Sequence, residues 1–217
     1  PPEATSYINA STSLCGIFGH PIAHSASPAM QNAGLRALGL NTRYVAFDVH
    51  PEQLQAALTG ARVMGFIGLN LTVPHKLLAV PMMDELDETA RTWGAVNTVC
   101  FQGEDEDGVW RPLLQLHRPG PARVRARGFN TDAYGLLTSL KEDLHAYIES
   151  ARVMVLGAGG AGRVAALLLA SEGVGDLFLV NRTRDKAEAL AAEIRERFPN
   201  VRVMTGYPHR EVDLIIN

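Results

Sequence analysis

Apolar positions along the chain alternate between two rhythms. Short runs rich in Val, Ile, Leu and Phe are followed by longer stretches in which apolar residues return every three or four positions. The first rhythm predicts strands and the second amphipathic helices, and their alternation predicts βαβ units built on a parallel sheet. Strands are expected over residues 14–18, 44–49, 65–73 and 96–101, and helices over 27–39, 51–60 and 84–93. Ser27 is expected to cap the first helix, with Pro28 in its first turn and Gly39 near its end. In the second helix Leu54, Ala57 and Leu58 share the inward face.

The rhythm breaks after residue 101. Gly103-Glu104-Asp105-Glu106-Asp107-Gly108 is an acidic turn, and residues 111–127 hold three prolines and five arginines. A solvated hairpin or loop insertion is expected there. No aromatic residue is interleaved with these arginines, so they make a poor stacking platform for nucleic acid. A helix follows, capped by Thr131 or Asp132, with Leu136, Leu137, Leu140, Leu144 and Tyr147 on one face. A second alternating unit then runs to residue 217, with strands over 152–156, 177–180, 201–204 and 212–216 and helices over 161–171 and 184–198. The pattern reads as α/β in two domains, residues 1–130 and 131–217.

Composition narrows the classes of function. The 217 residues are 47% hydrophobic and 20% charged, too apolar and too weakly charged for a disordered chain. A net charge of −3 creates no single-sign field that would draw the protein to nucleic acid or to an anionic membrane. The longest apolar run, residues 164–170, is far short of the ~18 residues of a membrane helix and reads as a buried helix. Cys15 and Cys100 are too few for a disulfide framework, and both are expected as reduced thiols packed in the core of a cytoplasmic protein. No secretory leader is expected, although the chain opens on Pro1-Pro2.

The second unit carries a motif with a physical rationale. Gly157-Ala158-Gly159-Gly160-Ala161-Gly162 follows an apolar strand and opens an Ala- and Leu-rich helix. The first glycine permits a tight turn, the second lets the backbone approach a pyrophosphate, and the third lets helix and strand pack closely. Glycine-rich loops also serve as plain turns, but here the strand, turn, helix and next strand are all in place, which favours dinucleotide binding. Sites for NAD usually end that next strand with Asp or Glu on the ribose 2′-hydroxyl. This chain has Asn181-Arg182-Thr183-Arg184-Asp185-Lys186 instead. A guanidinium pairs with a 2′-phosphate where a carboxylate repels it, which favours NADP. The plainer alternative is that Thr183 only caps a helix whose first turn carries solvated cations. Cations at a helix N-terminus oppose the macrodipole, so that alternative is the less comfortable one.

Polar clusters also sit at strand ends in the first unit. Gly19-His20-Pro21-Ile22-Ala23-His24-Ser25-Ala26-Ser27-Pro28 could present two hydroxyls to a carboxylate, and Asn70-Leu71-Thr72-Val73-Pro74-His75-Lys76 ends a strand on a lysine. Gly94-Ala95-Val96-Asn97-Thr98 and Asn130-Thr131-Asp132 are further polar ends. Taken singly, each reads as a cap, a turn or a surface lysine.

Taken together, and in this order, these clusters resemble the shikimate dehydrogenase family. The matching blocks are Gly19-x-Pro21 with His24-Ser25-x-Ser27-Pro28, then Gly68-x-Asn70-x-Thr72-x-Pro74-x-Lys76, then Gly94-Ala95-Val96-Asn97-Thr98. Asn130-Thr131-Asp132 with Gly135, the turn 157–161 and Asn181-Arg182-Thr183-x-x-Lys186 complete the set. The resemblance implies an N-terminal α/β substrate-binding domain and a Rossmann-type NADP-binding domain in an enzyme that interconverts 3-dehydroshikimate and shikimate. It implies that Ser25 and Ser27 hold the substrate carboxylate, and that Thr72, Lys76, Asn97 and Asp132 bind ring hydroxyls. Lys76 and Asp132 are the implied catalytic couple. Gly157, Ala158, Gly159, Gly160 and Ala161 are implied NADP contacts, with Asn181, Arg182, Thr183, Arg184, Asp185 and Lys186, and Glu88 near the cofactor. No metal, nucleic acid or membrane is implied, and the assembly is expected to be a monomer or homodimer.

The residue types suit that chemistry, because a ketone gaining a hydride leaves charge on oxygen that a positioned ammonium can neutralise. Two features depart from the family pattern. The segment between Asn97 and Asn130 is long, and residues 213–217 end the chain inside an expected strand where the family continues. A truncated nucleotide domain with an open sheet edge is the expectation, and so is a fragment of 217 residues that is poorly soluble and inactive. Two alternatives stand beside the main reading: a quinate/shikimate paralogue, and a module that binds nucleotide without turnover.

Overall fold

The structure is a computed structural model describing residues 8–116 and 123–217. The Pro1-Pro2 start and the middle of the arginine-rich segment, residues 117–122, lie outside the described residues. The chain divides between Phe129 and Asn130 into two compact units.

The first unit opens β1 (Ser13–Gly19), α1 (Ser27–Ala37), β2 (Thr42–Asp48), α2 (Leu54–Val63), β3 (Gly68–Leu71) and α3 (His75–Leu78). It continues through β4 (Glu85–Leu86), α4 (Glu88–Trp93), β5 (Thr98–Glu104), β6 (Trp110–Pro112) and β7 (Val124–Phe129). Its sheet runs β2-β1-β3-β5-β7-β4, with β6 paired to β5. Only its first half obeys the expected parallel pattern: β1 pairs parallel with β2 and β3, whereas β5 pairs antiparallel with β3, β6 and β7. β5 already runs against β3 ahead of the insertion, and the insertion extends this antiparallel half by folding back as a hairpin arm that adds β6 and β7. Asp105 closes the acidic turn by accepting from Asp107 N at 3.0 Å and Val109 N at 2.8 Å, and Gly108 takes φ +77°. Trp110 then lies under the guanidinium of Arg125, 4.5 Å from ring centre to Cζ, and of Arg123 at 5.6 Å. An aromatic ring does meet these arginines, contrary to the linear reading, because the hairpin brings together residues that are distant along the chain.

Leu54 and Leu58 of α2 bury beside Phe18, Phe66, Leu69, Leu71 and Phe101, and Ala57 packs on the same cluster. Residues 51–53 form a separate single turn before α2. The strand expected over 65–73 shortens to Gly68–Leu71, since Gly65 takes φ +75° and ends the approach. The helix expected over 84–93 begins only at Glu88. Asp84 and β4 are tied instead to β7, Asp84 N donating to Ala126 O at 3.0 Å and Asp84 Oδ2 accepting from Ala126 N at 2.6 Å. Asp87 Oδ1 then caps α4 by accepting from Ala90 N at 2.9 Å.

The second unit holds α5 (Asp132–Thr138), β8 (Arg152–Leu156), α6 (Gly160–Ser171), β9 (Asp176–Val180), α7 (Arg184–Arg197), β10 (Arg202–Thr205) and β11 (Leu214–Ile216). Its sheet runs β10-β9-β8-β11 with every pair parallel, as the repeated strand–helix rhythm predicts. All seven residues from Val164 to Ala170 in α6 are buried, so this greasy run is a core helix. Among the described residues no helix is long and apolar enough to cross a membrane.

The cap of α5 differs from expectation. Neither Thr131 nor Asp132 supplies it; Asn130 Oδ1 accepts from Asp132 N at 3.1 Å and Ala133 N at 3.4 Å. The helix also stops early. A wide turn over Ser139–Asp143 follows, and His145 takes φ +50°. Leu140 is therefore buried while Leu144 and Tyr147 leave the expected face and are exposed.

Candidate functional site

In the first unit the site residues gather where β1 and β3 end. Gly19, the last residue of β1, is required there by space: a Cβ would lie 2.5 Å from Thr72 Cγ2 and 2.7 Å from Ile22 Cδ1. The serine loop and the end of β3 thus close on the same backbone position. Ser25 N donates to Ile22 O at 2.9 Å, and Ser25 Oγ accepts from Ser27 N at 3.3 Å. Ser25, not Ser27, therefore supplies the oxygen at the start of α1, while Ser27 is a helical residue without a capping bond. Both serines are half-buried.

Thr72, Lys76 and Asn97 are stitched together by backbone hydrogen bonds. Thr72 N donates to Phe18 O at 2.9 Å and His75 N to Thr72 O at 2.7 Å. Val96 N donates to Lys76 O at 2.8 Å, and Leu71 N to Asn97 O at 2.8 Å. His75 anchors the short helix α3 that carries Lys76. It is fully buried, and its Nε2 donates to Val49 O at 2.9 Å. Burial pushes its pKa below the ordinary histidine value, the Val49 bond opposes this, and His20 adds to the lowering. Lys76 itself is half-buried.

In the second unit the glycine turn is built as its spacing predicts. Gly157 takes φ +114°, a backbone region that a Cβ disfavours, and its N donates to Val180 O at 2.7 Å. A Cβ on Gly162 would lie 2.1 Å from Gly157 O, so the first turn of α6 rests directly on the loop. Nothing lies within 4 Å of where a Cβ on Gly159 would project. Asn181 clasps this turn, its Oδ1 accepting from Ala158 N at 3.0 Å and its Nδ2 donating to Thr183 O at 2.7 Å. The residue that stands where NAD enzymes place a carboxylate is thus an amide engaged with the loop itself. Arg182, Thr183, Arg184, Asp185 and Lys186 are exposed. Arg184 Nε lies 3.6 Å from Glu188 Oε1. No side chain caps α7, so Thr183 does not do so. A cavity of about 490 Å³ runs beside the turn, lined by Asp132, Leu136, Val155, Ala161, Gly162 and Ile216 among others.

Ser25, Ser27, Thr72, Lys76 and Asn97 thus lie in the first unit, and Asp132 lies in the second at the start of α5. Gly160 and Ala161 open α6, beside Gly157, Ala158 and Gly159. Glu88 is an exposed first-turn residue of α4, in the first unit. The sequence marks Asn130 as a polar strand end within a family block and Tyr44 only as the start of a strand. The Asn130 cap was detectable as an Asx residue two positions before a helix; Tyr44, inside an ordinary strand pattern, carried no such signal.

Comparison with known proteins supplies a family. A model of the shikimate dehydrogenase substrate-binding domain matches residues 17–99, and one of shikimate/quinate 5-dehydrogenase matches residues 139–216. A shikimate dehydrogenase (NADP(+)) of Methanopyrus kandleri is 42% identical over 190 residues, 88% of this chain and 59% of that protein. One of Caldanaerobacter subterraneus subsp. tengcongensis is 37% identical over 217 residues, 97% of this chain and 69% of that protein. The crystal structure of shikimate 5-dehydrogenase from Thermus thermophilus in complex with NADP(H) and shikimate matches with TM-score 0.70 at 36% identity, over 94% of this chain and 67% of that one. The chain thus spans about three fifths of the length of the first of these relatives. Two matched domains, with ordered strand-end motifs in one and a glycine turn in the other, lead to one conclusion: the chain belongs to the shikimate dehydrogenase family.

Proposed function

We propose that the protein carrying this chain is an NADP-dependent oxidoreductase that interconverts 3-dehydroshikimate and shikimate on the route to aromatic amino acids. The observation that carries this reading is the stitching of Thr72, Lys76 and Asn97 around adjoining strand ends in one unit, in a chain whose other unit holds a glycine turn fit for a pyrophosphate. Relatives and structural neighbours named for NADP and shikimate support it.

The residues present fit the dinucleotide. Nothing lies within 4 Å of where a Cβ on Gly159 would project, so the N-terminal amides of α6 would hold a pyrophosphate there and exposed Arg182 would offer a guanidinium to a 2′-phosphate. When bound, NADPH supplies the hydride. Ser25 and Ser27 hold the substrate carboxylate, and Thr72 and Asn97 fix ring hydroxyls. The Lys76 ammonium donates its proton to the carbonyl oxygen as that carbon is reduced, and in the reverse direction the neutral amine takes the proton back. Asp132, the other member of the proposed catalytic couple, binds a ring hydroxyl. Free thiols at Cys15 and Cys100 suit a cytoplasmic setting.

The test is consumption of NADPH by the whole protein when 3-dehydroshikimate is added, and its absence would overturn the reading. The quinate named in the second domain's family description supports one further reading, in which quinate is also oxidised. Comparing kcat/KM for shikimate and quinate decides between the two.

A further inference from the structure

We propose that the hydroxyl of Tyr44 is a positioning group for Asn97, acting through a one-way chain of hydrogen bonds across the first sheet. The inference rests on the reading that Asn97 meets the substrate.

The chain begins on the edge strand β2. Its outward backbone groups need partners, and at Tyr44 a single side chain of α1 supplies them. Asn32 Nδ2 donates to Tyr44 O at 2.7 Å, Asn32 Oδ1 accepts from Tyr44 N at 3.0 Å, and Asn32 Nδ2 also reaches Pro28 O at 2.8 Å. The backbone of Tyr44 is thereby fixed from one side.

From there the side chain crosses the sheet. Tyr44 pairs with Cys15, Cys15 with Gly68, and Gly68 with Cys100, so these four positions share one face. Gly68 has no side chain, and a cavity of about 260 Å³ opens there, lined by Cys15, Tyr44, Asn70, Thr98 and Cys100. The phenol reaches along it and donates to Asn70 Oδ1 at 2.8 Å. Tyr44 itself is only 6% exposed.

Each bond sets the direction of the next. With its oxygen engaged by the phenol, Asn70 must turn its amide nitrogen the other way. That nitrogen donates to Thr98 Oγ1 at 3.2 Å and to Asn97 O at 3.4 Å. With its oxygen accepting from Asn70, the Thr98 hydroxyl donates to Asn97 Oδ1 at 3.0 Å. The Thr98 hydroxyl thereby fixes the orientation of the Asn97 carboxamide, with its oxygen as acceptor and its nitrogen as the donor end. A phenolate would reverse the first bond, but burial, with Cys15 adding to it, pushes the Tyr44 pKa up to about 12, so the group stays a donor. Removing the hydroxyl lets the Asn70 amide flip and the Thr98 hydroxyl rotate, and the Asn97 carboxamide loses this orienting bond.

The experiment is Tyr44→Phe in the whole protein, which keeps the ring and deletes one oxygen. The KM for shikimate is expected to rise about three- to tenfold, the worth of one net hydrogen bond. The kcat and the KM for NADP are expected to stay within about twofold. The side-chain amide resonances of Asn97 in the ligand-free protein are expected to shift. Thr98→Val cuts the same chain one link from Asn97 and must reproduce both effects. Unmoved Asn97 resonances overturn the proposal, and so do shifted resonances with an unchanged shikimate KM. Should wild-type protein not turn over shikimate, the functional reading falls, and the Asn97 resonances alone decide whether the relay exists.

Discussion

Lys76 and Arg182 show how much one side chain is asked to do. Lys76 is half-buried on a four-residue helix that the neutral, fully buried His75 holds in place. Its proposed role is proton transfer, a contribution typically worth ~10²–10⁴-fold. Lys76→Ala is therefore expected to lower kcat by that factor while the KM for NADPH hardly moves, which steady-state kinetics will check. Arg182 is exposed at the end of β9, so water screens its charge. Arg182→Ala is expected to weaken NADPH by about tenfold, at the low end for a hydrogen bond to a charged group, and to leave NADH unaffected. Equal loss for both cofactors would deny it the 2′-phosphate. Single positions were legible in sequence where chemistry and spacing coincide, as at Gly157 and Gly162. The role of Tyr44 was not, because its hydrogen-bond partner is set by the register of neighbouring strands.

Among the elements, α6 and its loop carry the sharpest constraint. A methyl at position 162 would sit 2.1 Å from a backbone oxygen that has nowhere flexible to go. Gly162→Ala is expected to destabilise the second unit by about 1–3 kcal/mol, the usual cost of overpacking, and to weaken NADPH binding alongside. Denaturant titration with and without cofactor measures both. Helices α6 and α7 are joined by Arg163, which grips Glu193 with both terminal nitrogens, one at 2.7 Å, while Arg197 reaches the same carboxylate at 3.0 Å. Burial pushes the Glu193 pKa up, but the two guanidiniums more than offset it, and the net direction is below the ordinary value of 4.5. A carboxylate held low in the folded state adds stability that is complete above 4.5 and is lost as pH falls through its folded pKa. Glu193→Gln should therefore be less stable than wild type at neutral pH, and the gap should close in acid. A gap that persists unchanged at low pH would contradict this account. Element boundaries moved wherever a side chain claimed the backbone, as Asp84 did in drawing β4 onto β7 and shortening the helix behind it.

At the scale of the whole molecule, each unit has its own sheet and its own set of candidate residues. NADPH present at a hundredfold excess over its Kd should stabilise the folded protein by about 2.7 kcal/mol, and NADH at the same concentration should do so by much less. Thermal unfolding scans with the two nucleotides make the comparison, and equal shifts would count against NADP selectivity.

The sequence by itself determined the two α/β units, the parallel sheet of the second unit and the glycine turn. Those features follow from local periodicity and from backbone conformations that only glycine adopts freely. The polar strand ends were also visible, because hydroxyl, amide and ammonium groups stand there against an apolar pattern. Tertiary structure alone decided the antiparallel half of the first sheet, the stacking of Arg125 on Trp110, the clasp of Asn181 on the turn and the bond chain from Tyr44 to Asn97. Each of these joins residues far apart along the chain, and a side chain's partner there depends on which strand lies next to it, which no local pattern encodes.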